Sequence, residues 1–175
     1  MYENGIKCLN LQLQLYTQRY NMANFFGKYT VLLDDKGRLV LPSKFREEEA
    51  AFVIEKGLEE PFLEMYTKKD WEQHAEEKKK EFDFYDAEDR KLWRSYMNHC
   101  IDVIPDEKTG RIVIPPFLLS KIGVKKEVVF AGQYRNIEIW AKEVWENMGM
   151  LDDKDYDIAM KKKLGRKTNN TSLNP

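Results

Sequence analysis

The chain has 175 residues, room for one ordinary domain or two very small ones and too few for a two-domain enzyme built around a large buried active site. Hydrophobic residues at 42% and aromatic residues at 13% can build a core, and 34% charged residues exclude a membrane protein as firmly as the apolar share excludes bulk disorder, since no stretch approaches the roughly 20 apolar residues of a span. The net charge of −1 conceals an uneven distribution: Asn24 to Arg46 and Pro105 to Lys126 each carry +3, whereas Glu47 to Arg90 between them carries −9. Two cysteines, Cys8 and Cys100, and two histidines, His74 and His99, offer neither a disulfide scaffold nor a zinc spacing. His99 and Cys100 read as structural residues, because neighbouring side chains in an extended segment point to opposite faces. No metal or cofactor is expected, and with no apolar leader the chain is expected in the cytoplasm.

In chain order, GKYTVLL alternates as a half-buried strand, DDKG turns with Gly37 free to adopt a positive φ, and LVLP forms a second strand ending at Pro42. SKFREEEAAF reads as a short helix with Ser43 as its cap. A strand is expected from Phe52 to Ile54 and another in LEEPFLEMY, after which Thr67 caps a helix beginning TKKDW. Lys68 to Asn98 reads as two helices broken near Phe84 to Asp86, with Trp71, Ala75 and Phe82, then Leu92, Trp93, Tyr96 and Met97, as core stripes. CIDVI, GRIVIP, PPFLLSKIG, EVVFAGQ and IEIW then repeat the first order of elements, with Gly123 at a helix C-terminus. The tail after Met150, KKKLGRKTNNTSLNP at its end, is expected to be mobile.

That second pass is an internal repeat. KGRLVLPSKF (Lys36 to Phe45) is echoed by TGRIVIPPFL (Thr109 to Leu118) at an offset of 73, and EMYTKKDWE (Glu64 to Glu72) by EIWAKEVWE (Glu138 to Glu146) at an offset of 74. Units of about 45 residues are marginal alone, so the two copies are expected to interlock as a small α+β barrel with pseudo-twofold symmetry and peripheral helices.

In each turn an acid precedes an arginine by four positions: Asp34 with Arg38, and Glu107 with Arg111. The carboxylates would orient the guanidiniums, and arginine carries the bidentate geometry that reads guanine O6 and N7 in double-stranded DNA, while Lys36, Lys44 and Lys108 would neutralise phosphates. One such pair would be an ordinary surface ion pair; two, each in a basic segment, point to nucleic acid. A protein-binding module, with the acidic helices gripping a basic partner, is the alternative. An enzyme is the weakest reading, for want of a phosphate loop, nucleophile elbow or metal constellation.

GKYTVLLDDKGRLVLPSKFRE with DEKTGRIVIPP, closed by EMYTKKDWE and EIWAKEVWE, resembles the MraZ family of bacterial transcriptional regulators from about Met22 to Trp145. The resemblance implies duplicated AbrB-like (SpoVT-AbrB) swapped-hairpin units, a homo-oligomeric ring, and repression of the division and cell wall gene cluster through G-rich direct repeats in its promoter. It further implies a nucleoid-associated location; the protein-binding alternative would be an AbrB-like antitoxin or scaffold of the same barrel type. The layout is then an N-terminal extension or misassigned start over 1–24, repeats over 25–70 and 99–146, a helical connector over 71–98 and a tail over 147–175.

Overall fold

A computed structural model describes residues 23–47, 50–57, 59–148 and 150–170, with side chains as far as 165 in the last helix. The expectation for the N-terminal extension falls almost wholly outside these residues. The described residues form two compact units, one within Met1–Lys142 and the other within Glu143–Pro175.

Among its described residues the first unit contains eight strands: β1 (Lys28–Leu32), β2 (Arg38–Val40), β3 (Phe52–Lys56), β4 (Phe62–Thr67), β5 (Ile101–Val103), β6 (Arg111–Val113), β7 (Glu127–Gly132) and β8 (Ile137–Ala141). The helices among those residues are α1 (Ser43–Arg46), α2 (Lys68–Lys79), α3 (Ala87–Met97) and α4 (Pro116–Lys121). Six strands form an antiparallel sheet in the order β1-β7-β8-β4-β3-β5, and β2 pairs with β6 as a separate two-stranded ribbon. The sheet is open, with β1 and β5 at its edges, so the closed barrel expected from the sequence is corrected. What interlocks the halves is exchange: exchanging β1–β4 with β5–β8 reverses the sheet order into itself and leaves the ribbon unchanged. Each half's first strand pairs with the other half's third, Tyr29 opposite Phe130 and Phe52 opposite Val103.

Period-two alternation explains the two faces. Phe52, Ile54, Leu63, Met65, Val128, Phe130, Ile137 and Ile139 point to one side and form the core with Leu39, Leu41, Ile112 and Ile114 from the ribbon segments and Phe45 and Leu118 from α1 and α4. Burying such a side chain contributes about 1.5–3 kcal/mol, and Phe25 adds an edge-on ring contact with Phe45 at 5.5 Å. The other face carries Val53, Glu55, Tyr66 and Trp140, all buried, and α2 packs against its β3–β4 part.

Local signals are met at several ends. Thr67 Oγ1 accepts the Asp70 amide at 3.0 Å and caps α2, Asp86 accepts the amides of Glu88 and Asp89 and caps α3, and Gly37, Gly110 and Gly123 all have positive φ. Two expectations are corrected. Pro42 rather than Ser43 occupies the cap position of α1, and Ser43 is its first helical residue. Leu92 and Met97 are exposed, because α3 lays only part of its apolar side on the rest of the fold. In the second unit the segment after Met150 contains α6 (Asp153–Asn170), which follows α5 (Lys142–Met148).

Candidate nucleic-acid interface

The β2–β6 ribbon is three residues long on each strand, with Arg38 opposite Val113, Leu39 opposite Ile112 and Val40 opposite Arg111. Leu39 and Ile112 point inward and are buried. The alternation therefore places Arg38, Val40, Arg111 and Val113 together on the outward face. The two arginine side chains are 35% and 37% exposed, accessible yet held by neighbours.

The turn before β2 supplies the holding group. The Asp34 amide donates to the Arg38 carbonyl and the Gly37 amide to the Asp34 carbonyl, both at 2.9 Å. Asp34 Oδ1 accepts the amides of Lys36 at 2.9 Å and Arg38 at 2.8 Å. Its Oδ2 accepts Arg38 Nε at 2.9 Å and lies 2.8 Å from the terminal nitrogen of the same guanidinium. Arg111 Nε, entering from the opposite end of the ribbon, lies 3.6 Å from that same oxygen. The hydrogen bond from the Arg38 side chain, helped by the two amides, lowers the Asp34 carboxyl from 3.8 to about 2, so the anion that orients both arginines persists throughout neutral and mildly acidic conditions.

The turn before β6 is one residue longer, and this corrects the role assigned to Glu107. The Asp106 amide donates to the Arg111 carbonyl and the Gly110 amide to the Asp106 carbonyl, so Asp106 occupies the place of Asp34. Its Oδ1 accepts the amide and hydroxyl of Thr109, both at 2.7 Å, and the Thr109 hydroxyl lowers its pKa. With that carboxylate engaged by Thr109, Arg111 turns to Asp34. Glu107 is exposed in the turn.

The lysines are distributed around this centre. Lys36 and Lys108 are exposed in the two turns, which lie at opposite ends of the antiparallel ribbon, and Lys44 is exposed on α1, where it lines a cavity of about 290 Å³ with Asn24, Phe26, Phe45 and Glu47. Arg46 was not singled out in the sequence: its guanidinium lies so close to Gly110 that a side chain there would collide with it, and its Nε is buried with no hydrogen-bond partner among the described residues. No sequence signal separates Arg46 from a surface cation at the end of a short helix.

A second polar centre fastens the connector to the sheet. Glu55, 1% exposed on β3, accepts Trp71 Nε1 at 2.9 Å, Lys78 Nζ at 2.9 Å and Tyr96 Oη at 2.5 Å. His74 Nε2 approaches to 3.3 Å, but its alignment is too poor for a hydrogen bond. Burial alone would raise the Glu55 pKa; the contacts from His74, Tyr96 and Lys78 outweigh it and hold the carboxyl at about 2. Across the ladder, burial and the Glu55 charge raise the pKa of Glu64. Burial, followed by the Glu55 charge, moves Cys100 to about 11, so its thiol is held as a structural neighbour. Trp71, His74 and Lys78 recur at three and four positions along α2, a spacing that could have revealed a partner for Glu55.

The geometry thus brings the arginines of both turn motifs to one carboxylate oxygen, and comparison with known proteins gives the chain a family. The family model described as "MraZ protein, putative antitoxin-like" matches residues 24–95 and 101–155, well over half of the chain. The chain belongs to the MraZ family. Its relatives include the transcriptional regulator MraZ of Caldanaerobacter subterraneus subsp. tengcongensis, 36% identical over 132 residues that cover 75% of this chain and 90% of the relative. The MraZ of Dictyoglomus thermophilum is 42% identical over 123 residues, covering 70% and 82%, and that of Lachnoclostridium phytofermentans is 40% identical over 124 residues, covering 70% and 85%. MraZ relatives are named as regulators of transcription, not as enzymes. Both turn motifs, the ribbon, and Glu55 with Trp71, His74 and Lys78 lie within the MraZ match. Among the described residues, no group of acids, histidines and cysteines could hold a metal ion, and no helix is long and apolar enough to cross a membrane.

Proposed function

We propose that this chain is a sequence-specific DNA-binding regulator of transcription, and that the outward face of the β2–β6 ribbon is its reading surface. The observation that carries this reading is the convergence of Arg38 and Arg111 on Asp34 Oδ2, at 2.8 and 3.6 Å, on one accessible face. A two-stranded ribbon fits the major groove of B-DNA, where a guanidinium can donate twice to guanine. Lys36, Lys44 and Lys108 contact phosphates, which position the protein without reading sequence. The repeats at 25–70 and 99–146 are AbrB-like units joined by the connector at 71–98, and the reversible strand order supports that relationship. Several copies in a ring would present ribbons to G-rich direct repeats in the promoter of the division and cell wall cluster, multiplying modest contacts into repression. The protein works in the cytoplasm at the nucleoid. A gel-shift titration against DNA upstream of the chain's own gene, at two salt concentrations, tests this. Binding should weaken as salt rises, and Arg38→Ala should reduce affinity for the promoter with the fold intact; unchanged affinity would remove Arg38 from the reading surface.

A second reading, an AbrB-like antitoxin or scaffold, is favoured by the apolar side chains that α3 leaves exposed, Leu92 at 59% and Met97 at 37%. A stable complex with another protein, together with no retardation of DNA, would establish it instead.

A further inference from the structure

We infer that Val40 and Val113 are specificity-determining residues that recognise the C5-methyl group of thymine beside the bases read by the arginines. This rests on the DNA-reading role proposed above for the ribbon. The two valines share the outward face with Arg38 and Arg111 and are 40% and 59% exposed. They do not support the core, because Leu39 and Ile112 occupy the inward positions between them. Strand propensity does not require valine either; threonine serves as well on a solvated strand, as the exposed Thr30 does on β1.

The register makes the arrangement specific. Arg38 stands directly opposite Val113, and Arg111 directly opposite Val40. Each arginine therefore has an apolar neighbour supplied by the other repeat, and the two pairs are related by the exchange that reverses the sheet. Directly opposite side chains on a ladder are about 4.5–5.5 Å apart, on the order of one base-pair step of about 3.4 Å. A ribbon in the major groove would thus set one guanidinium and one isopropyl group against adjacent positions, twice. In that groove thymine alone carries a methyl group, and an apolar side chain is what recognises it. Each composite pair fits a guanine next to a thymine.

The test replaces each thymine of the promoter duplex in turn by deoxyuridine, which removes only the methyl group, and measures the affinity of the full chain by fluorescence anisotropy at fixed salt. Wild type should lose about three- to fivefold at one or two positions, the size of one buried methyl contact, and Val40→Ala or Val113→Ala should become insensitive at one of them. No sensitive position in wild type, or sensitivity retained in both alanine variants, overturns the inference. The wild-type scan alone is decisive if a variant does not fold. Failure of wild type to bind the unmodified duplex would overturn the ribbon's DNA-reading role itself, and this inference with it.

Discussion

Asp34 acts on two arginines from different repeats, so its charge matters to both halves of the ribbon at once. Asp34→Asn keeps an acceptor for the turn amides but removes the anion that fixes the guanidiniums. It should lower the ratio of promoter to random-sequence affinity about tenfold, within the range of a bidentate base contact, while binding to random DNA is not weakened, since an acidic group has left the surface. Glu107→Gln should leave that ratio unchanged; competition titrations on both variants check the pair. The difference between Asp106 and Glu107 was not legible in the sequence because counting back from the arginine assumes equal turns, and one additional residue moves the carboxylate. Glu55 was equally concealed, a lone acid at the end of an apolar run. Its carboxyl is depressed from 4.5 to about 2, so its contribution to stability is complete above about pH 4.5 and is lost as pH falls through 2. Glu55→Gln should cost about 2–4 kcal/mol near neutral pH, since Lys78, Trp71 and Tyr96 lose a charged acceptor, and should flatten the loss of thermal stability below pH 4.5. Melting curves from pH 2 to 7 measure both effects.

Elements were the most legible level. The offsets of 73 and 74 placed the strands of both halves, and Thr67, Asp86 and the turn glycines marked their ends. These signals lie within a few residues of what they specify. Partner choice does not: nothing near Tyr29 specifies Phe130 rather than a residue of its own hairpin, because pairing is decided by which faces the assembled core can bury. A similarly distant constraint acts at Gly132, the end of β7. A Cβ there would meet the backbone of Phe25 and Phe26 at 2.6 Å, where the Phe25 amide donates to the Tyr134 carbonyl and the Tyr134 amide to the Phe25 carbonyl. Gly132→Ala must displace main chain rather than a flexible side chain and should destabilise by about 1–3 kcal/mol. Gly37→Ala, in open space but with positive φ, should cost about 1 kcal/mol from backbone strain alone. Urea titrations of the two variants should give that order.

At the scale of the whole molecule, a net charge of −1 is compatible with a DNA reader only because basic and acidic segments are separated. The two segments of +3, Asn24 to Arg46 and Pro105 to Lys126, contain the ribbon strands, and the segment of −9 from Glu47 to Arg90 lies between them in the chain. Affinity should therefore fall steeply with salt, and Lys36→Ala should reduce the slope of log K against log salt by about one per binding copy, whereas Arg38→Ala should relax sequence preference and leave the slope nearly unchanged. The exchange of strands between halves has a consequence for how the chain comes into being on the ribosome. β1 has no ladder partner until β7 has been synthesised, about a hundred residues later, and β5 must find β3 after the whole connector has emerged. Folding one repeat at a time is closed to this chain, and its sheet completes only after β8 has emerged, with the early edge strand waiting for a partner encoded far downstream.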